Sequence, residues 1–284
     1  MKNIVIILLL ILAALYGALY FLSAGDNYNG ERLYYRAMMA NEKVTKNPDI
    51  APAALLNNIE SDFKVILDKY QKAPVARPAS IALTEFYINH NKYDKALGSI
   101  ALIGKRYKDD PVIMSTALFM KGAICEKKGE WPAALKEFRG VQRSYPFTQI
   151  GMQMPLYIGQ YYDSKGDEAN ARAAYNEAAT YYDNLEKKYN GKVVGYIAAS
   201  FLLQTYLVAG SYDAAGIALE KIISQYPSGQ TYAQFLPYVE LIYLKKSNNP
   251  GKAIELYRNV KSITKDKLLI KSLDDAIQKV ENRK

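Results

Sequence analysis

Few side chains of this sequence have the chemistry of an active site. The 284 residues include a single histidine, His90, and a single cysteine, Cys125. One imidazole and one thiol cannot supply the usual His and Cys ligands of a zinc site, and they offer no convincing nucleophile–base pair. We expect His90 to be a solvated turn residue and Cys125 to be a small buried apolar residue. The sequence predicts no metal site.

Carboxylate pairs are the remaining candidates for acid–base work. Asp109-Asp110 precedes a proline, and Asp274-Asp275 lies on a predicted exposed helix face. Helix capping and solubility explain both placements. The sequence has no Gly-x-x-x-x-Gly-Lys-Ser/Thr phosphate loop, no Gly-x-Ser-x-Gly nucleophile motif and no His-Glu-x-x-His zinc motif. We therefore expect no enzymatic activity, no cofactor and no small-molecule substrate.

One stretch, residues 129–146, has the signals of a helix stop, a turn and a new helix. Gly129 can adopt the left-handed conformation that ends a helix. Pro132 is tolerated only in a first helical turn, so a helix is predicted to begin near Trp131. One helix face and the next stop follow: Ala134, Phe138, Val141 and Pro146.

The same pattern occurs five times, aligned on a small residue. These anchors are Ala96, Ala134, Ala171, Ala215 and Ala253. Gly or Asn, which readily occupy a left-handed C-cap, stands five positions earlier: Asn91, Gly129, Gly166, Gly210 and Asn248. A larger residue stands four positions later: Ile100, Phe138, Tyr175, Leu219 and Tyr257. The alternative is an ordinary helical bundle in which the motif arises by chance.

The repeat resembles the tetratricopeptide repeat (TPR), a helix–turn–helix unit with small residues where its two helices cross. The resemblance implies an all-α fold, a right-handed solenoid of helix pairs. We expect a membrane anchor or signal-anchor in residues 1–25, a linker and a divergent helix pair in 26–76, five repeats in 77–264 and a capping helix in 265–284. Residues 25–30 are expected to form a flexible linker.

The N-terminal anchor is predicted from an uncharged apolar run of 19 residues, Ile4–Leu22. About 20 apolar residues span a bilayer. Lys2 before the run favours an N-terminus in the cytoplasm and a body on the outer side. We expect a bacterial inner-membrane protein with its repeats in the periplasm. The charge bias is small, so a cytoplasmic body stays an alternative, as does cleavage as a signal peptide after Ala24.

The net charge of +9 comes largely from lysines that are interleaved with acidic residues. Such mixed charge is typical of a solvated surface, whereas a nucleic-acid site needs a basic stripe with aromatic residues. We expect no nucleic-acid partner. The most basic segment, residues 261–271, is the best candidate for contact with anionic lipid or acidic partners.

The TPR resemblance also implies a partner-binding groove, 18, 15 and 11 residues before each anchor. The candidate groove residues are Phe119, Gln153, Leu156, Gln160, Gln204, Phe235 and Tyr238. Further positions of the same kind are Ile81, Glu85, Thr116 and Ile197. Without Lys, Asn or Arg there, a carboxylate clamp for chaperone C-termini is not expected. We expect an uncharged groove of amides and aromatics that binds peptide or helix segments. The alternative is that neighbouring repeats bury these aromatics and close the groove.

In layout the sequence is similar to membrane-anchored periplasmic TPR proteins of protein export, outer-membrane protein assembly and the Tol–Pal envelope system. This implies envelope or export components as partners, and a non-enzymatic scaffold or chaperone-like adaptor. The alternative is a cleaved, soluble periplasmic accessory subunit of a secretion, polysaccharide or outer-membrane assembly machine. An enzyme with an unrecognised site is a third hypothesis, which a bound metal or cofactor would support.

Overall fold

The described part of the chain is entirely helical. The structure is a computed structural model, and it describes residues 11, 12, 15, 17, 25–46 and 52–282. Within those residues the chain forms thirteen α-helices and a π-helical segment, with no β-strand. The predicted all-α fold class is therefore confirmed for these residues. Most of the predicted span Ile4–Leu22 lies outside them, and no helix among them is long and apolar enough to cross a bilayer.

The chain divides into two compact units, residues 1–141 and 142–284. The first unit contains helices α1 to α5 and most of α6. Their bounds are α1 Asp26–Lys46, α2 Ala53–Lys69, α3 Ala76–Asn89, α4 Tyr93–Arg106, α5 Pro111–Lys127 and α6 Trp131–Ser144. Pro132 thus stands in the first turn of α6, as its sequence position predicts.

Consecutive helices from α1 to α5 pack against each other, and α3 also contacts α1 and α5. The core between them is aliphatic and aromatic, with Ile59, Phe63 and Phe86 almost fully buried. At the edge of α1 and α2, Arg36 donates a hydrogen bond from Nε to Asp62 Oδ2 at 2.6 Å. Burial of one stripe per helix is what stabilises helices of this length.

The second unit continues with helix pairs. Its elements are α7 Gln149–Ser164, α8 Glu168–Lys188, α9 Val193–Val208, α10 Tyr212–Gln225, α11 Gly229–Val239, the π-helical segment Glu240–Lys246, α12 Pro250–Ile263 and α13 Lys267–Glu281. Helix α8 packs between α7 and α9, and α9 packs on α10. Helix α13 packs against α12 through Leu273, Ile277 and Val280.

The five predicted turns all have the left-handed backbone that the repeat pattern indicates. The φ angles are 57° at Asn91, 78° at Gly129, 71° at Gly166, 70° at Gly210 and 46° at Asn248. Each of these residues lies between the two helices of a pair, where a left-handed residue ends the first helix and reverses the chain.

Close helix crossings explain two further glycines of the pattern. A Cβ atom on Gly122 would lie 2.5 Å from the ring of Phe138, and one on Gly159 would lie 2.4 Å from the ring of Tyr175. Both distances are far inside van der Waals contact. The aromatic residue four positions after the anchor therefore fills the space that the missing side chain leaves.

Three local predictions need correction. The expected flexible linker is helical from Asp26 onwards, where Gly30 is buried and its backbone approaches Val75 and Ala73. His90 lies in the turn after α3, as predicted, but it is half-buried, since its ring lies 4.4 Å from that of Phe86 and its Nδ1 is 2.8 Å from the Phe86 carbonyl oxygen. Cys125 is half-buried and not fully buried.

Candidate partner-binding groove

An open cavity of about 480 Å³ lies within the first unit, between α1, α3 and α5. Three of the positions that the repeat register assigns to a groove, Ile81, Glu85 and Thr116, line it. The other lining residues are Tyr34, Met38, Arg77, Pro78, Ala82, Val112 and Ile113. The first helices of three successive pairs thus face one common space.

Helical periodicity places the lining residues. Each of the three helices contributes residues four positions apart, which lie on the same helix face. These are Tyr34 and Met38 on α1, Ile81 and Glu85 on α3, and Val112 and Thr116 on α5. Val112 is 55% exposed and Met38 is 37% exposed. Apolar side chains are therefore accessible in the groove.

Two charged residues line the groove, Arg77 and Glu85, and Arg77 has a counter-ion. The Arg77 guanidinium forms an ion pair with Asp110 at 2.8 Å, and Asp110 also accepts hydrogen bonds from the backbone N–H groups of Val112 and Ile113. Asp110 is therefore the N-cap of α5, as predicted for a carboxylate before a proline. The ion pair with Asp110 also neutralises the charge of Arg77.

Glu85 is the charge that the groove leaves without a counter-ion among the described residues. Desolvation in the groove raises the pKa of its carboxyl. Burial, followed by the nearby Glu85 charge, raises the pKa of Tyr34. The expected uncharged groove is thus wrong at this position. Glu85 is thus an exposed carboxylate at the groove lining, with no cation beside it among the described residues.

Phe119 lies one turn beyond Thr116 on α5. It is half-buried, and its ring centroid is 5.6 Å from that of Phe138 in the core. Part of the Phe119 ring therefore supports the α5–α6 packing, while the remainder stays accessible.

In the second unit, two of the candidate residues belong to the core. Leu156 is 4% exposed and packs with Tyr175 and Tyr182, while Phe235 is 3% exposed and packs against Tyr196. At these two positions the side chains are buried, which agrees with the alternative hypothesis of a closed groove. Apolar residues at helical spacing are accessible only where the next helix pair leaves them uncovered, which the spacing does not reveal.

The side chains of the three glutamine candidates are exposed to solvent. Gln153 and Gln160 lie on α7 and Gln204 lies on α9, a helix that α7 contacts. Gln160 and Gln204 occupy equivalent repeat positions. Exposed apolar residues accompany Gln204 on α9, with Val193 at 74% and Ile197 at 37% exposure. Amides and aliphatic groups thus share this surface.

Tyr238 is half-buried, with its ring centroid 6.2 Å from that of Phe235. It lies on α11 beside the buried Phe235, so it combines core packing with partial access to solvent. Whether it binds a partner stays a prediction, as it does for the other candidates.

Sequence reasoning missed the contribution of α1. Tyr34 and Met38 lie in the N-terminal pair, which lacks the Gly–Ala turn signature and therefore has no anchor from which positions could be counted. The i, i+4 spacing of apolar residues on α1 was the signal available.

Neither a scan against protein-family models nor a search of curated proteins finds a significant match to this chain. Among the residues that the structure describes, no group of His, Cys, Asp and Glu side chains could hold a metal ion.

Proposed function

We propose that this protein is a non-enzymatic interaction scaffold or chaperone-like adaptor built from tetratricopeptide-like repeats. The observation that supports the proposal is the open cavity between α1, α3 and α5, which contains predicted groove positions and accessible apolar side chains. Apolar side chains from three helices line it, which suits binding of a peptide or helix segment.

The lining defines the kind of segment that fits. Tyr34, Met38, Ile81 and Val112 offer an apolar surface, and methionine adapts to differently shaped partners. Glu85 adds one negative charge. The expected partner is therefore an amphipathic segment with an apolar face and one Lys or Arg that reaches Glu85.

We further propose that residues 4–22 tether the body to the bacterial inner membrane and that the repeats lie in the periplasm. The uncharged apolar run after Lys2 supports this placement. In that position the partners would be envelope or export components, and the basic segment 261–271 would face anionic lipid or acidic proteins.

The test is in-cell crosslinking of the full chain with a photoreactive amino acid in place of Met38. We expect a defined crosslinked partner, with the attachment point in an amphipathic segment. In Val112→Glu, a charge placed in the groove should reduce the crosslink about tenfold, because it desolvates poorly against an apolar ligand face. Ile217→Glu, at a residue that is 71% exposed on α10, is the matched control and should leave the crosslink unchanged.

The two substitutions also separate binding from folding. Both variants should keep the thermal midpoint of the parent chain, since both residues are exposed. A crosslink that is equally strong in the parent and in Val112→Glu would refute the groove as the binding surface.

A further inference from the structure

The first unit contains a second cavity, between α2, α3 and α4, of about 350 Å³. It is separate from the groove, because Ser80, Leu83 and Tyr87 face it from one side of α3 whereas Ile81 and Glu85 face the groove from the other. Its apolar lining comes from Leu67, Leu83, Leu102 and Ile103. Cavities of roughly 300–1,000 Å³ are typical of small-molecule sites.

Two small residues of α4 leave this space open. Gly98 and Ser99 line the cavity, two and three positions after the anchor Ala96. All four other repeats have a residue larger than glycine at the first of these positions: Lys136, Ala173, Ile217 and Glu255. A Cβ atom on Gly98 would meet nothing within 4 Å. Gly98 therefore leaves unoccupied space beside α4 in this repeat.

The polar groups at the cavity are mostly basic. Lys64, Lys95 and Arg106 line it, against a single acidic residue, Asp68. Lys64 and Lys95 both donate to the same Glu60 oxygen at 2.8 Å, and Lys92 approaches the other oxygen at 3.4 Å. The three lining cations thus exceed the charge of Asp68 and Glu60 together by one.

The cations remain accessible although they contact Glu60. The side chains of Lys64 and Lys95 are each 52% exposed. Among the described residues, Arg106 has one long contact of 3.4 Å, to the Leu67 carbonyl oxygen. An incoming carboxylate could therefore accept hydrogen bonds from these side chains without breaking a buried ion pair.

We propose that this cavity binds a small anionic amphiphile of the fatty-carboxylate class. The acyl chain would lie along Leu67, Leu83 and Leu102, and the carboxylate would contact Lys95 and Arg106. Charge complementarity selects an anion, and the aliphatic lining together with the space over Gly98 selects an apolar chain. The site is distinct from the groove and does not depend on the function proposed for it.

The test is photoaffinity labelling of the full chain with a decanoic acid analogue that carries a diazirine on its alkyl chain. Peptide mapping by mass spectrometry then locates the label. We expect labelling on α3 and α4, competed by decanoate and not by decyltrimethylammonium, which has the same chain length with the opposite charge. Labelling confined to residues 4–22 would contradict the proposal.

Gly98→Leu is the decisive variant, because the new side chain fills the cavity without meeting backbone. Labelling on α3 and α4 should fall at least about tenfold, the factor that 1.4 kcal/mol of lost binding gives. The variant should remain folded, since leucine has a higher helix propensity than glycine. An unchanged or raised thermal midpoint will verify this.

Arg106→Met and Lys105→Met form a matched pair in the last turn of α4, where only Arg106 lines the cavity. The first should lower labelling about fivefold, the effect of one partly exposed ion pair, and the second should not change it. Equal competition by the cationic amphiphile, or undiminished labelling of Gly98→Leu, would overturn the proposal.

Discussion

At the residue scale, Glu60 connects three helices of the first unit. Its carboxylate accepts hydrogen bonds from Lys64 on its own helix, from Lys95 on α4 and, at 3.1 Å, from the Tyr87 hydroxyl on α3. Burial alone would raise the pKa of Glu60, but the hydrogen bonds from Lys64 and Lys95 lower it to about 2. Burial and the Glu60 charge in turn raise the pKa of Tyr87.

The lowered pKa of Glu60 predicts a pH dependence of stability. A carboxyl with a folded pKa below its ordinary 4.5 stabilises the fold above pH 4.5, and this contribution is lost as the pH falls towards 2. Glu60→Gln should therefore be less stable than the parent at pH 7, with a difference that shrinks between pH 4.5 and 2. Urea unfolding at several pH values measures it.

Glu130→Gln, at an exposed carboxylate before α6, is the control for that series. It should not change the pH profile. A difference between Glu60→Gln and the parent that stays constant from pH 7 to 2 would mean that the carboxylate charge contributes nothing to the stability of this cluster.

At the element scale, the left-handed turns define where each helix pair reverses. Gly129 has a φ of 78°, a conformation in which a side chain is strained, whereas Gly104 lies inside α4 with open space around its Cβ position. The same substitution should consequently have opposite effects at the two sites.

Gly129→Ala should lower the free energy of unfolding by about 1–2 kcal/mol, because alanine is strained in the left-handed region. Gly104→Ala should raise it by up to about 1 kcal/mol, because alanine is the better helix former. Chemical denaturation of both variants beside the parent measures the two changes. If Gly129→Ala were as stable as the parent, the turn would not require a left-handed residue.

At the scale of the whole molecule, the N-terminal segment decides where the repeats can act. If residues 4–22 anchor the chain, the body acts beside the membrane; if the segment is removed after Ala24, the body diffuses freely. The apolar run is longer than the 7–15 residues of a usual signal-peptide core, which favours retention.

We predict that the mature protein retains Met1–Ala24 and that its body faces the periplasm. The intact mass of protein purified from the membrane fraction measures retention. Protease added to spheroplasts should degrade the body and leave a cytoplasmic control protein intact. A mature chain that begins at Gly25 would exclude the anchor and support the cleaved, soluble alternative.

The sequence by itself determined the helices and their turns. Periodic apolar residues, an early proline and a left-handed Gly or Asn act over a few residues, so local chemistry is sufficient to define them. This is why the start of α6 and the left-handed backbone of Asn91 and Asn248 could be predicted. The same register identified Ile81 and Thr116 as residues facing a common space.

Only the tertiary structure decided which side chains are covered. Leu156 and Gln160 stand one turn apart on α7, but the neighbouring helices bury the first and leave the second in solvent. Likewise, the cavity over Gly98 depends on α2 and α3 as well as on α4, and Glu60 collects cations that are distant in sequence. Burial and charge clustering arise from contacts between helices, and a pattern confined to one helix does not contain them.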